Sequence, residues 1–217
     1  DASAETALYG LAGDSATAWL AASAPAAVWG RTDRHGATVV RLPDGNGQAR
    51  YLFAQPAAEA APDLPALAED HWRWLEVRAG VARITAATVE QFVPQMVNLE
   101  LVGGVNFQKG CYPGQEVVAR SQYRGTLKRR MALLEGDAPL SAGQEVFAAS
   151  DPEQPAGMVV LAAPQSGGGS AALVELKLAA LAADALHAGH AQGPGLRRAA
   201  LPYALPSDAA DAATPAA

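Results

Sequence analysis

The chain has 217 residues, more than the usual single domain of about 100–200 residues, so two packed units are the first expectation. Half of its residues are apolar and 18% are charged, which excludes a largely disordered chain. The net charge of −6 argues against strong nucleic-acid binding, because such binding depends on cations placed on phosphates.

The first 85 residues contain two helical segments and one hairpin. Residues 14–22 predict a short helix that ends before Pro25. Strand-forming residues at 37–42 and 49–54 are separated by Asp-Gly and Asn-Gly pairs, which predict a β-hairpin. A second helix is predicted from Asp63 onward, with Gly80 as its end cap.

Residues 86–126 predict a compact crossing segment that ends in a helix. Pro94 and the Gly103-Gly104 pair interrupt any long regular element there. Pro113 fits the first turn of a helix that runs until Gly125. The residues just before Pro113 are therefore expected at a helix N-terminus.

The last third of the chain predicts a small antiparallel β-barrel. Its apolar runs are short and are broken by Gly and Pro clusters at near-regular spacing. The runs lie at 130–134, 145–148, 158–163, 172–178 and 196–203. We expect this barrel domain to span residues 127–206, followed by a disordered low-complexity tail at 207–217.

The single cysteine, Cys111, excludes an intrachain disulfide and fits a reducing compartment. A lone cysteine is more often a small buried hydrophobe, but a helix N-terminus and Lys109 nearby both favour the thiolate. One cysteine cannot supply the four ligands that an iron–sulfur cluster normally takes. His187 and His190 lie three residues apart in an Ala/Gly-rich stretch that is typical of solvent-exposed histidines, so no resident metal is expected.

No apolar run approaches the roughly 18 residues that span a bilayer, and no signal-peptide pattern opens the chain. We therefore expect a cytoplasmic monomer without a membrane anchor. The chain begins with Asp1, which suggests that an upstream portion is missing.

A cluster of basic residues lies shortly after Cys111 in the sequence. It contains Arg120, Arg124, Lys128, Arg129 and Arg130, with Tyr123 among them. Such a cluster is either a solvated surface or a site for an anion such as a polyglutamate tail, a phosphate or RNA. Composition leaves both interpretations open.

Two adjoining runs carry a family resemblance. Residues 91–99 and 103–120 surround the octet K-G-C-Y-P-G-Q-E at 109–116, which is long and unusual in composition. These runs resemble the signature of the YgfZ folate-binding proteins, which are relatives of the aminomethyltransferase, or T-protein, of the glycine cleavage system. The resemblance covers nearly the whole chain.

The resemblance implies an α+β fold with three domains around a central folate site, the last of them a β-barrel. It implies that residues 1–85 form the ferredoxin-like α/β part of the folate-binding domain. Residues 86–126 would be the crossing segment, and a further N-terminal domain would be absent from this sequence.

The resemblance also implies a tetrahydrofolate-binding accessory protein. Its partners would be folate and client enzymes, including tRNA-modifying ones, whose iron–sulfur clusters it helps to assemble or repair. Cys111 would be the functional thiol. The residues implied in folate binding are Lys109, Tyr112, Gly114, Gln115 and Glu116. Arg120 is expected to join them, because the glutamate tail of folate is an anion.

Two other functions stay open. The first is an aminomethyltransferase-like enzyme that passes a one-carbon unit to tetrahydrofolate, and the second is an RNA-binding module. Transferase relatives tend to carry Glu directly before an Ala-Gly pair, where this chain has Arg78, with Glu76 two residues earlier. That departure favours the accessory role.

Overall fold

The computed structural model describes residues 1–123, 127–183 and 185–206. The predicted disordered tail at 207–217 lies outside the described residues, as do Arg124 and Gly125 of the crossing segment. Contacts between residues divide the chain into two compact units, Asp1–Ala79 and Gly80–Ala217.

The first unit is a small antiparallel sheet with two helices. Its elements are β1 (Thr6–Ala12), α1 (Gly13–Leu20), β2 (Arg31–Arg34), β3 (Ala37–Gly45), β4 (Gln48–Pro56) and α2 (Glu69–Arg78). Among the described residues the sheet has four strands in the order β1-β4-β3-β2. Strands β2, β3 and β4 follow one another without a helix, which departs from the β-α-β-β-α-β connection of a ferredoxin-like unit.

The predicted hairpin is confirmed. Strands β3 and β4 pair directly, and the turn between them places Asn46 and Gly47 at φ 51° and 75°, the left-handed region that this pair favours. The helix expected from Asp63 begins later, at Glu69. It ends as predicted, because Gly80 follows it with a φ of 69°.

Helix α1 covers one face of this sheet. Ala16 and Leu20 are each 1% exposed and pack with Tyr51 and Phe53 of β4. Trp19 meets Phe53 edge to face, with the ring centroids 5.4 Å apart. Burial of Leu20 and Phe53 stabilises the unit, because a side chain of that size contributes roughly 1.5–3 kcal/mol when fully removed from water.

The second unit contains the crossing segment and the barrel. Its elements are two short 3-10 helices (Ala86–Thr88 and Pro94–Val97), α3 (Gln115–Tyr123), β5 (Arg129–Gly136), β6 (Glu145–Ala148), β7 (Asp151–Pro164), β8 (Ser170–Lys177), α4 (Leu178–Ala183), β9 (Leu186–Ala188) and β10 (Gly195–Ala199).

The C-terminal β-barrel is confirmed. Six described strands close in the order β10-β5-β8-β7-β6-β9, and their pairings are antiparallel. The interior is filled by Leu134, Val146, Val159, Val174 and Leu176, all fully buried. The short strand β9 and the helix α4 were not predicted, and Tyr203 lies beyond the last strand rather than in it.

Asn98 attaches the crossing segment to barrel strand β5. Its Nδ2 donates to the carbonyl oxygen of Met131 at 2.8 Å, and its Oδ1 accepts from the Met131 amide at 3.4 Å. Asn98 is completely buried and adopts a φ of 57°, a conformation that asparagine tolerates better than most residues. The side chain thus pairs with β5 as another strand would.

A buried ion pair supports the same attachment. Arg130 and Glu100 form a salt bridge whose side chains are 8% and 7% exposed. Arg130 Nη1 also donates to the carbonyl oxygen of Gln95 at 3.0 Å. Because breaking a buried pair leaves an uncompensated charge, losing either partner costs about 3–5 kcal/mol.

Tyr203 completes this polar cluster from the C-terminal side. Its hydroxyl donates to the carbonyl oxygen of Gly80 at 2.6 Å and accepts from Asn98 Nδ2 at 3.4 Å. Burial raises the pKa of the Tyr203 hydroxyl, and the Glu100 carboxylate adds to the increase, while Asn98 and Arg130 oppose it. The neutral phenol is therefore the form that the folded unit favours.

Among the described residues, no helix is both long enough and apolar enough to cross a membrane.

The raised pKa of Tyr203 predicts a loss of stability in alkali. An unfolded tyrosine ionises near pH 10, so the contribution of Tyr203 is complete below about pH 10 and is lost as the pH rises through its folded pKa. We expect Tyr203→Phe to cost about 1 kcal/mol at neutral pH and to reduce the alkaline loss. Chemical denaturation at a series of pH values measures both effects. Tyr123→Phe, at a tyrosine that is 66% exposed, is the control, and an equal alkaline loss in wild type and Tyr203→Phe would contradict the assignment.

Candidate functional site

The octet at 109–116 lies in an exposed loop and the first turn of α3. Lys109, Gly110 and Cys111 are exposed, and Tyr112 is half-buried. Cys111 is a free thiol open to solvent. The alternative that it is a buried hydrophobe is therefore wrong.

Asn106 fixes the start of this loop. Its Oδ1 accepts from the amide of Gln108 at 2.8 Å and from the amide of Lys109 at 3.1 Å. A side-chain oxygen that binds two successive backbone donors folds the chain into a tight turn. The backbone that leads into Cys111 is therefore held locally.

Gln115 fixes the other end of the loop. Its side-chain Oε1 accepts from the backbone amide of Tyr112 at 3.2 Å, and its backbone amide donates to the Tyr112 carbonyl oxygen at 3.3 Å. Gly114 lies between them at a φ of 80°, where a side chain would be strained. This reciprocal pair closes the N-terminus of α3, so the helix starts two residues later than Pro113 had indicated.

Two aromatic contacts complete the loop. Lys109 Nζ lies 4.8 Å from the centre of the Tyr112 ring. Phe107 meets Tyr123, in the last turn of α3, edge to face with a centroid distance of 5.9 Å. At an exposed site a cation–π contact contributes about 0.5–1 kcal/mol, so these contacts orient side chains rather than stabilise the fold.

The two glycines of the octet have room beside them. A Cβ atom added at Gly110 or Gly114 would meet no atom of the described residues within 4 Å. A ligand could thus approach the backbone of the loop closely at both positions. Glu116 and Arg120 are exposed on α3, four residues apart, and hence on the same side of the helix.

The structure divides the basic cluster. Arg120 and Lys128 are exposed, but Arg129 is ion-paired with Glu175 and Arg130 with Glu100. Arg124 lies outside the described residues. Two of the five cations are therefore committed to ion pairs, and Arg120 and Lys128 are the exposed members of the cluster within the described part.

Helix α3 is attached to the run at 91–99 by a contact that sequence reasoning missed. Gln95 is completely buried, and its Nε2 donates to the carbonyl oxygen of Val118 at 2.8 Å. Like Asn98, it lies in the run at 91–99 that carried the family resemblance. The signal available in the sequence was a polar side chain, Gln95, close to the apolar residues Pro94 and Val97. A side-chain amide in such a run must find hydrogen-bond partners if it is buried.

The candidate metal residues are not gathered into a site. Within the described ranges, no group of three or more His, Cys, Asp or Glu side chains could hold a metal ion. His187 Nδ1 is instead hydrogen-bonded to the carbonyl oxygen of Gly193 at 2.9 Å. Glu76 and Arg78 lie on α2 in the first unit, where the Arg78 guanidinium lies 5.9 Å from the Trp74 ring.

Comparison with known proteins supports the resemblance. No family model matches the chain. A curated relative, the tRNA-modifying protein YgfZ of Photobacterium profundum, is 41% identical over 99 residues, which cover 41% of this chain and 30% of the relative. The predicted relation to YgfZ-type sequences is thus confirmed.

A solved structure shares the fold. The glycine cleavage system aminomethyltransferase T from Bartonella henselae matches with a TM-score of 0.55 and 15% identity over 91% of this chain and 59% of that chain. This likeness confirms the α+β fold class with its C-terminal barrel. The chain spans less than two thirds of either protein.

Native-state alkylation tests the exposure of Cys111. We expect iodoacetamide to modify the folded protein at a rate within about tenfold of the unfolded chain, because the thiol is exposed. Mass spectrometry of quenched samples gives the rate, and Cys111→Ser gives the background. Modification that occurs only in denaturant would contradict the exposed site.

Proposed function

We propose that this chain, YgfZ-like in sequence and T-protein-like in fold, binds tetrahydrofolate at the octet and uses Cys111 to support iron–sulfur proteins. The observation that carries the proposal is an exposed thiol on a loop held at both ends, by Asn106 and by Gln115. A functional thiol needs both access and a defined position.

The chemistry of the loop suits a folate. Folate is an anion with a flat apolar head, and the octet offers the half-buried Tyr112 ring together with the exposed cation of Lys109. Arg120 supplies a second exposed cation for the glutamate tail. Gly110 and Gly114 leave the backbone open to a close approach.

The thiol serves as a transient contact. One cysteine cannot supply the four ligands of a resident cluster, so Cys111 would share a cluster or a one-carbon unit with a client protein. The relative's name connects that protein with tRNA modification, and the clients proposed here include enzymes of that kind. A cytoplasmic location would keep the thiol reduced.

The second candidate is an aminomethyltransferase-like enzyme, which the fold of the Bartonella henselae protein favours. A transferase that moves a group between bound small molecules has no evident need for an exposed thiol. RNA binding, the third candidate, loses support because Arg129 and Arg130 are both committed to ion pairs.

Two variants separate folate binding from thiol function. Cys111→Ser should keep folate affinity within about twofold, since oxygen replaces sulfur with little change of volume. The same substitution, introduced into the chromosomal gene, should abolish the support of iron–sulfur enzymes. Reversing Lys109 and Arg120 together to Glu should weaken folate binding at least tenfold and reduce its salt dependence. Titration of the protein with tetrahydrofolate and assay of client enzymes in cells give the two readouts.

The matched control reverses Lys177 and Arg197 to Glu. Both lie on the barrel, in β8 and β10, and the change in net charge is the same. Unchanged affinity in the Lys109/Arg120 variant would place the folate site elsewhere. Full cellular function of Cys111→Ser, together with aminomethyl transfer by the wild type, would establish the transferase instead.

A further inference from the structure

A cavity of about 260 Å³ lies in the second unit, and its lining residues are outside the octet. Its floor is the outer face of barrel strands β5 to β8, and its roof is the chain at 91–96. Ligand pockets commonly measure about 300–1,000 Å³, so this one suits a single ring system rather than an extended molecule.

Strand register brings a row of side chains together on the floor. Glu145 of β6 pairs with Met158 of β7, and Met158 pairs with Glu175 of β8. Residues paired in this way point to the same face of the sheet. Glu145 and Glu175 are therefore two strand spacings apart, about 10 Å, with Met158 between them.

Arg129 forms a flat, fixed surface beside this row. Its guanidinium binds both oxygens of Glu175, with Nη2 2.9 Å from Oε2, and Nη2 also donates to the Ala156 carbonyl oxygen at 3.3 Å. Glu175 is only 2% exposed, so the carboxylate side of the Arg129–Glu175 ion pair is buried. A guanidinium locked in this way can stack on an aromatic ring without losing its ion pair.

The walls favour an aromatic ligand. Phe92 and Met96 from the roof and Met158 from the floor are half-buried and line the cavity. Thioethers and aromatic rings make favourable contacts with flat π-systems. The cavity thus has apolar side chains on its roof and its floor, and the Arg129 guanidinium also lines it.

The rim supplies a hydrogen-bond acceptor. Glu145 is exposed and lines the cavity, whereas the Glu175 carboxylate is already occupied by Arg129. An ionised carboxylate accepts two parallel hydrogen bonds from adjacent N–H groups. Gln91 lies at the rim as well and can donate or accept.

We propose that this cavity binds a planar heteroaromatic ring that carries two adjacent N–H donors on one edge, as a guanine base or a pterin does. One face of the ring would contact Met96 of the roof, the other would lie on Met158 and the Arg129 guanidinium of the floor, and the N–H edge would face Glu145. The proposal does not depend on folate binding at the octet, because the lining residues lie outside 109–116.

Calorimetric titration tests this site with three probes. Guanosine and 6-methylpterin have the two adjacent donors, and adenosine lacks them. We expect saturable binding of guanosine, 6-methylpterin or both, weaker by at least tenfold in Glu145→Gln and lost in Met96→Trp, which fills the cavity. Preference for guanosine would indicate a nucleoside or RNA source, and preference for the pterin a folate-type source.

Two controls keep the outcome clear. Glu153→Gln removes an exposed carboxylate from the neighbouring strand β7, which pairs with the strand of Glu145, and should not change binding. Thermal melting shows whether each variant is folded. No saturable binding at millimolar probe, equal binding of adenosine, or equal affinity in wild type and Glu145→Gln would overturn the proposal.

Discussion

The second unit depends on one buried asparagine that pairs with the backbone of a barrel strand. Asn98 satisfies both polar groups of Met131, and removing it would leave them unpaired inside the protein. Each buried group without a partner costs about 1–3 kcal/mol, a large share of the stability of a small domain. The ion pair of Arg130 with Glu100 and the Tyr203 hydroxyl strengthen the same contact.

The two sides of the segment at 91–99 make different contacts. Gln95 and Asn98 bind the carbonyl oxygens of Val118 and Met131, which fixes α3 and β5 to the segment. Phe92 and Met96 line the cavity on the outer barrel face. The octet runs directly into α3, whose Val118 carbonyl oxygen is bound by Gln95, so the exposed loop has an anchored base. A site on such a base can present Cys111 in a constant position.

Sequence reasoning found the barrel, the hairpin and the octet because their signals are local. Short apolar runs between turn residues predict strands, and an Asn-Gly pair predicts a hairpin turn. The ion pairs of Arg129 and Arg130 could not be predicted from local patterns. Their partners, Glu175 and Glu100, are 46 and 30 residues away. Glu175 is brought close by the pairing of β8 with β5, and Glu100 by the attachment of the segment around Asn98 to β5. The three-residue strand β9 is likewise too short to give a pattern, and it forms because the barrel must close.

Hydrogen exchange measured by mass spectrometry on wild type and Asn98→Ala tests most directly whether this asparagine positions the site. If it does, exchange in the variant should rise in residues 106–112 and in α3, while β8 in the barrel stays protected. Asn106→Ala, which removes only the exposed turn contact, should affect residues 106–112 alone. Unchanged exchange of α3 in Asn98→Ala, or an equal rise throughout the second unit, would contradict the account.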